Sequence, residues 1–352
     1  MVQKKMSPAT QTLQQQLDGE RRLVSFDSYD LSVRQLLDMF ESGEIDVPPE
    51  YQRQFIWDES RESQLIESVL LGIPVPSLFM ATNSDSTWEI VDGVQRLGTL
   101  AHFLGSPKLL KKINRSTPLE IEELEKLSAL NKTVYEDLPK SVQLMFSTRP
   151  MRVTVLNDKS DQNVRFDLFE RLNTGGISLT NQEIRNCVFR GPFNEDIKRL
   201  ALDKNFTSII NLKSGDLKNG TAEEHALRFF AFYDQYKQFD HSVKDFLNEY
   251  MRRFSSKKIS PNLEKIFKQT FALLNKNLPK GVVRGNRGVT PVNLFEGIVV
   301  GTALAIKSGK PIDEGNLVKL LDDEKLRTFT TGATNTKKSV VGRIEYVRDA
   351  LI

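Results

Sequence analysis

At 352 residues, 39% of them hydrophobic, the chain has room for ordinary apolar cores in two domains, or in one large domain with an appended lobe. No apolar run reaches the ~18 residues that would span a bilayer, Met1-Val2-Gln3-Lys4-Lys5 is not followed by the apolar stretch of a secretory signal, and one cysteine, Cys187, excludes an internal disulfide and a cysteine-rich zinc site. With 49 basic and 46 acidic residues the formal charge is +3, too balanced to argue for nucleic-acid binding, and the expectation is a cytoplasmic protein with no membrane partner.

Residues 1–24 are polar and Gln-rich, and read as an arm or an isolated helix. Ser32, with Gln35 three residues later, caps a predicted helix whose apolar face is Leu36, Leu37 and Phe40 and whose stop is Gly43. Ile45 to Tyr51 contains Pro48 and Pro49, so it is an extended edge or loop. Asp58 precedes a helix with a stripe of Leu65, Ile66, Val69 and Leu70, ended by Gly72-Ile73-Pro74. Two β-like runs follow, Ser77 to Met80 and Trp88 to Val91, and then a helix from Val94 to Leu104.

The charged stretch from Leu109 to Lys140 is predicted as a helical insertion. Met151 to Leu156 alternates as a strand does, and Asn163 to Leu172 reads as a helix interrupted by Asn173-Thr174-Gly175-Gly176. Thr180 and Glu183 make a capping box for the next helix, in which Cys187 lies on an amphipathic side. Later, Glu223 to Tyr236, Val243 to Phe254, Leu263 to Leu274 and Val292 to Ile306 each fit a 3.6-residue period. The pattern predicts an α/β domain over 25–195, a small mixed sheet with helices, and an all-helical domain over 196–352.

Three constellations could carry chemistry. In Asp92-Gly93-Val94-Gln95-Arg96, a glycine between strand and helix lets a ligand approach the backbone. The first helical N–H groups favour an anion there, and Arg96 could clamp a phosphate. Asp92 would repel a bare phosphate, which suggests a magnesium ion between them, or a carboxylate that orients a hydroxyl or a water. A glycine turn with a surface arginine is the plainer reading. Around Tyr51-Gln52-Arg53-Gln54-Phe55-Ile56-Trp57, aromatics could stack a base or anchor the loop, and Arg53 could meet a phosphate or a carboxylate. In Arg171-Leu172-Asn173-Thr174-Gly175-Gly176, Arg171, Asn173 and Thr174 could hydrogen-bond a nucleotide, while a structural turn explains Gly175 and Gly176 equally well. His102, His225 and His241 are far apart, with no metal-ligand spacing, and there is no Walker A sequence. A basic run ending in the glycine-rich loop with Lys280, Arg284 and Arg287 could track a nucleic-acid backbone or form a solvated surface.

Taken together, Pro49-Glu50-Tyr51-Gln52-Arg53 with Trp57, Gly72-Ile73-Pro74-Val75-Pro76, Asp92-Gly93-Val94-Gln95-Arg96, and Asn173-Thr174-Gly175-Gly176 with Leu179-Thr180-Asn181-Gln182-Glu183-Ile184-Arg185 resemble the DUF262 family. This family is the N-terminal domain of GmrSD-type modification-dependent restriction systems, with a fold related to ParB and sulfiredoxin. The resemblance spans residues 25–195 and implies binding of an NTP (ATP or GTP) with magnesium, and in some members NTP hydrolysis coupled to defence against foreign DNA. By position it assigns Tyr51, Gln52, Arg53, Gly93 and Arg96 to the nucleotide, and Asp92 and Gln95 to catalysis. The family signature reads Asp-Gly-Gln-Gln-Arg, so Val94 replaces a glutamine. If that glutamine positions water or nucleotide, hydrolysis is slowed or absent while binding survives; if it only packs, little changes. No HNH-type histidine cluster is present in the sequence, so the expected partners are DNA, a separate nuclease or effector protein, and further copies of the chain. The alternatives are a non-catalytic ParB-like DNA-binding adaptor and a small-substrate phosphoryl-transfer enzyme.

Overall fold

The computed structural model describes residues 13, 17, 25–48, 55, 57–83, 85–157, 162–172, 179–285 and 288–352, with side chains from 165 onward in the 162–172 segment. Chain contacts group residues 1–178 and 179–352 as two compact units.

The first unit is built on a mixed sheet of β1 (Phe26–Ser32), β2 (Ile45–Asp46), β3 (Leu78–Thr82), β4 (Trp88–Asp92) and β5 (Pro150–Leu156), in the order β1-β5-β3-β4-β2. β1–β5 and β3–β4 pair antiparallel, whereas β3–β5 and β2–β4 pair parallel. The three strands read from sequence are present. β1 has no counterpart in the prediction, because its side chains are exposed up to Asp30 and carry no apolar alternation. Its place comes from the register with β5, which runs from Phe26↔Leu156 to Ser32↔Pro150.

Helix α1 (Val33–Ser42) starts where Ser32 accepts from the Gln35 N–H and ends at Gly43, as its sequence predicts. Its buried face of Val33, Leu36, Leu37 and Phe40 lies on the sheet. Asp58 caps α2 (Glu59–Leu71), which buries Leu65, Ile66, Val69 and Leu70 and packs on α3 (Val94–Leu104). Each such side chain contributes roughly 1.5–3 kcal/mol on burial, against ~1 kcal/mol for a cap. The stripes therefore decide where the helices lie, and the caps decide where they begin and end.

Leu109 to Lys140 departs from the helical prediction. Only α4 (Pro107–Lys112) and α5 (Lys140–Thr148) are α-helical there; between them run turns and two single 3-10 turns, Ser128–Leu130 and Tyr135–Asp137. Pro118 disfavours helix at Thr117. The Asn131 side chain holds both the N–H and the carbonyl of Leu124. Leu119, Ile121, Leu124 and Leu138 are buried without helical spacing, so tertiary burial overrides local propensity. The unit's last described helix, α6 (Gln162–Leu172), contacts β4.

The second unit is helical, with α7 (Asn181–Val188), α8 (Pro192–Leu200), α9 (Lys204–Ile209), α10 (Thr221–Gln235), α11 (Val243–Phe254), α12 (Pro261–Asn277), α13 (Val292–Ser308), α14 (Asn316–Leu321), α15 (Glu324–Thr330) and α16 (Lys337–Leu351). The Thr180–Glu183 capping box opens α7, and Cys187 is buried on it. By contacts α7 belongs to this unit, so the division falls ahead of the one drawn at 195 in the sequence. α13 is buried almost all round and meets α16 closely at Gly301, where a Cβ would lie 2.6 Å from Val347 Cβ. Around it runs a chain of alternating charges: Arg185 pairs Glu224, Glu224 pairs Arg228, and Glu296 lies between Arg228 and Arg343. Among the described residues no helix is long and apolar enough to cross a membrane.

Candidate functional site

β4 is buried along Glu89, Ile90 and Val91, and its pairing with β3 shifts register between Phe79 and Met80, just before the strand ends at Asp92. A shift of this kind bends a strand and re-aims the residues that follow. Gly93 comes next at φ 99° and is the N-cap of α3. A Cβ there would lie 2.3 Å from Leu78 Cδ2, so backbone angle and space both require glycine. Gly93 has no side chain to cap the first-turn N–H groups of α3, the groups that a helix start offers to an anion.

Arg96, expected to face a phosphate, is engaged within the turn. Its Nη2 donates to Asp92 Oδ2 at 2.7 Å and its Nη1 to the carbonyls of Pro76 and Ser77, and the side chain is 12% exposed. The guanidinium thus joins the end of β4 to the segment entering β3. Val94 is buried, so its side chain faces the core. Gln95 Oε1 accepts from the Trp57 N–H at 3.3 Å, and a Cβ on Gly98 would come within 2.4 Å of the Phe55 ring. The aromatic segment therefore lies against the same helix that Gly93 begins. Tyr51, Gln52 and Arg53 fall outside the described residues, as do Asn173, Thr174, Gly175 and Gly176. Arg171 is exposed on the last turn of α6.

Two buried polar groups escaped the sequence reading. Glu89 is fully buried on β4, with Arg165 Nη2 3.6 Å from its Oε2. Arg165 also donates to the Thr82 carbonyl and to Asn83 Oδ1, and lies over the Phe169 ring, which ties α6 to the β3–β4 turn. An acidic residue inside the apolar run Trp88-Glu89-Ile90-Val91 was the available signal. His102, buried on α3, sits between Glu62 Oε2 (2.8 Å) and the Thr117 carbonyl (3.0 Å). Arg115 reaches both Glu62 and the Trp57 carbonyl, so this network also holds the aromatic segment.

Among the described residues no group of three or more His, Cys, Asp or Glu could hold a metal ion. Asp92 stands as one carboxylate already paired with Arg96. Such a site does not fit a resident magnesium ion, although one carboxylate suffices to share an ion that arrives with phosphates.

In the basic loop of the second unit the structure corrects the reading of Arg284. Arg284 is 7% exposed, and donates to the Leu321 carbonyl and Thr330 Oγ1, so it holds the fold together and is not displayed to a nucleic acid. Nearby Lys268 and Lys276 pair with Glu264 and Glu314. Lys280 is exposed, and Arg287 lies outside the described residues.

Residues 33–190 match the family described as GmrSD restriction endonuclease, N-terminal domain. No curated protein and no solved structure matches the chain.

Proposed function

We propose, from the match of residues 33–190 to the GmrSD restriction endonuclease N-terminal domain, that the chain serves a restriction-related, DNA-directed system and that its first unit binds ATP or GTP at the Gly93 turn. The observation that carries the nucleotide reading is the meeting, on one helix, of the Gly93 turn and the aromatic segment at Phe55–Trp57. The first-turn N–H groups of α3, which Gly93 leaves without a side-chain cap, are the donors for the phosphates in this reading. Arg96 keeps the turn in shape through Asp92, Pro76 and Ser77. Magnesium, carried in by the nucleotide, is shared with Asp92. Asp92 and Gln95 are the candidates to orient a water for slow hydrolysis in this reading. DNA cleavage falls to a separate nuclease partner.

Calorimetric titration with ATP, GTP and non-hydrolysable analogues, with and without magnesium, tests this reading. Binding that strengthens with magnesium, and loses that magnesium dependence in Asp92→Asn, is the expected result. No heat at about 1 mM nucleotide would sink the proposal.

A further inference from the structure

A cavity lies in the first unit beside the loop that precedes the segment held by Arg96. About 370 Å³ in volume, it opens between the Gly72–Val75 loop and the start of β5, and Arg149, Arg152, Asp30 and Met151 also line it. Arg152 and Asp30 form a two-point ion pair, with Nε to Oδ1 at 2.6 Å and Nη2 to Oδ2 at 2.8 Å. That pair cancels itself and leaves Arg149 as the uncompensated charge of the wall.

Among the described residues Arg149 has no carboxylate partner. Its guanidinium lies flat on Gly72, where an added Cβ would be 3.1 Å from both Nη atoms. Nη2 donates to the Leu70 carbonyl at 2.8 Å, which fixes the plane of the group. Nε is buried without an acceptor, and no hydrogen bond is formed by Nη1 among the described residues. A guanidinium held in place on a cavity wall, with Nη1 left to donate, matches an oxyanion in charge. The rest of the wall is apolar: Val69, Ile73, Pro74, Val75 and Met151. The volume greatly exceeds that of an inorganic phosphate, and a wall of this kind favours an apolar body attached to the anion.

We propose that this cavity binds a small phosphomonoester, its phosphate on Arg149 and its apolar body against Ile73, Val75 and Met151. The site shares no lining residue with the Gly93 turn and does not depend on nucleotide binding there.

Titration of the full chain with phenyl phosphate, inorganic phosphate and benzyl alcohol tests it. Phenyl phosphate binds, with affinity at least about tenfold above that for either fragment. Arg149→Gln weakens phenyl phosphate by about tenfold or more. Because Arg149 also supports Leu70, Ile73→Glu serves as the second variant: Ile73 is 45% exposed, so the fold tolerates the change, and the new carboxylate repels the ligand with Arg149 intact. The proposal is overturned if phenyl phosphate does not bind at about 10 mM, if Ile73→Glu binds it as the parent does, or if benzyl alcohol binds equally well. Inorganic phosphate binding as tightly as phenyl phosphate would overturn the assigned apolar body.

Discussion

Arg96 lies four residues beyond Asp92 and closes the turn between them, its Nη2 2.7 Å from Asp92 Oδ2 while Nη1 holds the carbonyls of Pro76 and Ser77. One guanidinium therefore joins the end of β4, the start of α3 and the segment entering β3. A charge that looks, in sequence, free for a ligand is first a part of the scaffold that would present one.

Replacing that guanidinium has a measurable effect on folding. Arg96→Ala is expected to destabilise the first unit by about 2 kcal/mol, the scale of losing charge-assisted hydrogen bonds in a partly buried place. Arg96→Lys restores only part, because one ammonium cannot serve three acceptors with the same planar fork. Urea denaturation followed by tryptophan fluorescence measures both, and an unchanged midpoint for Arg96→Ala would remove the scaffold role.

Gly93 is constrained twice, by φ 99° and by Leu78. Gly93→Ala is expected to cost about 2 kcal/mol, of which the left-handed backbone accounts for ~1 kcal/mol. The remainder comes from the overlap with Leu78 Cδ2, so Gly93→Ala costs about 1 kcal/mol less in a Leu78→Ala background. A double-mutant cycle showing no coupling between the two positions would contradict the contact.

In the second unit Glu296 is fully buried between Arg228 and Arg343. Glu296→Gln keeps the shape and removes the charge, and leaves two buried guanidiniums facing a neutral amide. The expected loss is about 3–5 kcal/mol. Hydrogen exchange of α13 and α16 reports it directly, and protection equal to the parent's would refute the charge-compensation reading.

Glu224 gives that charge chain a pH dependence. Burial pushes its carboxyl upward, but Arg228 and Arg185 more than offset this and hold it at about 2, below its ordinary 4.5. A depressed carboxyl contributes stability that is fully present above the unfolded value and is lost as pH falls through the folded one. The second unit should thus lose on the order of 3 kcal/mol as pH falls from about 4.5 to about 2. Thermal melts across that range check the slope, and Glu224→Gln should flatten it. An equally steep slope in the variant would place the titration on another group.

The sequence by itself determined the elements whose signals are local. Ser32, Asp58 and Thr180 mark helix starts, Gly43 and Gly72 mark ends, and the apolar stripes of α1 and α2 lie on the faces they predict, because caps and periodicity act over three or four residues. The motif blocks carried the resemblance that the match over 33–190 bears out. Only the tertiary structure decided the rest. β1 exists through its pairing with β5, 118 residues away at Ser32↔Pro150. The stretch between α4 and α5 folds around buried Leu119, Ile121, Leu124 and Leu138 with no helical spacing. Three arginines took different places: Arg96 closes a turn, Arg284 is buried in the second unit, and Arg149 lines a cavity. A residue type states what a side chain is able to bind; which acceptors stand around it depends on contacts far along the chain, and those form only when the chain has folded.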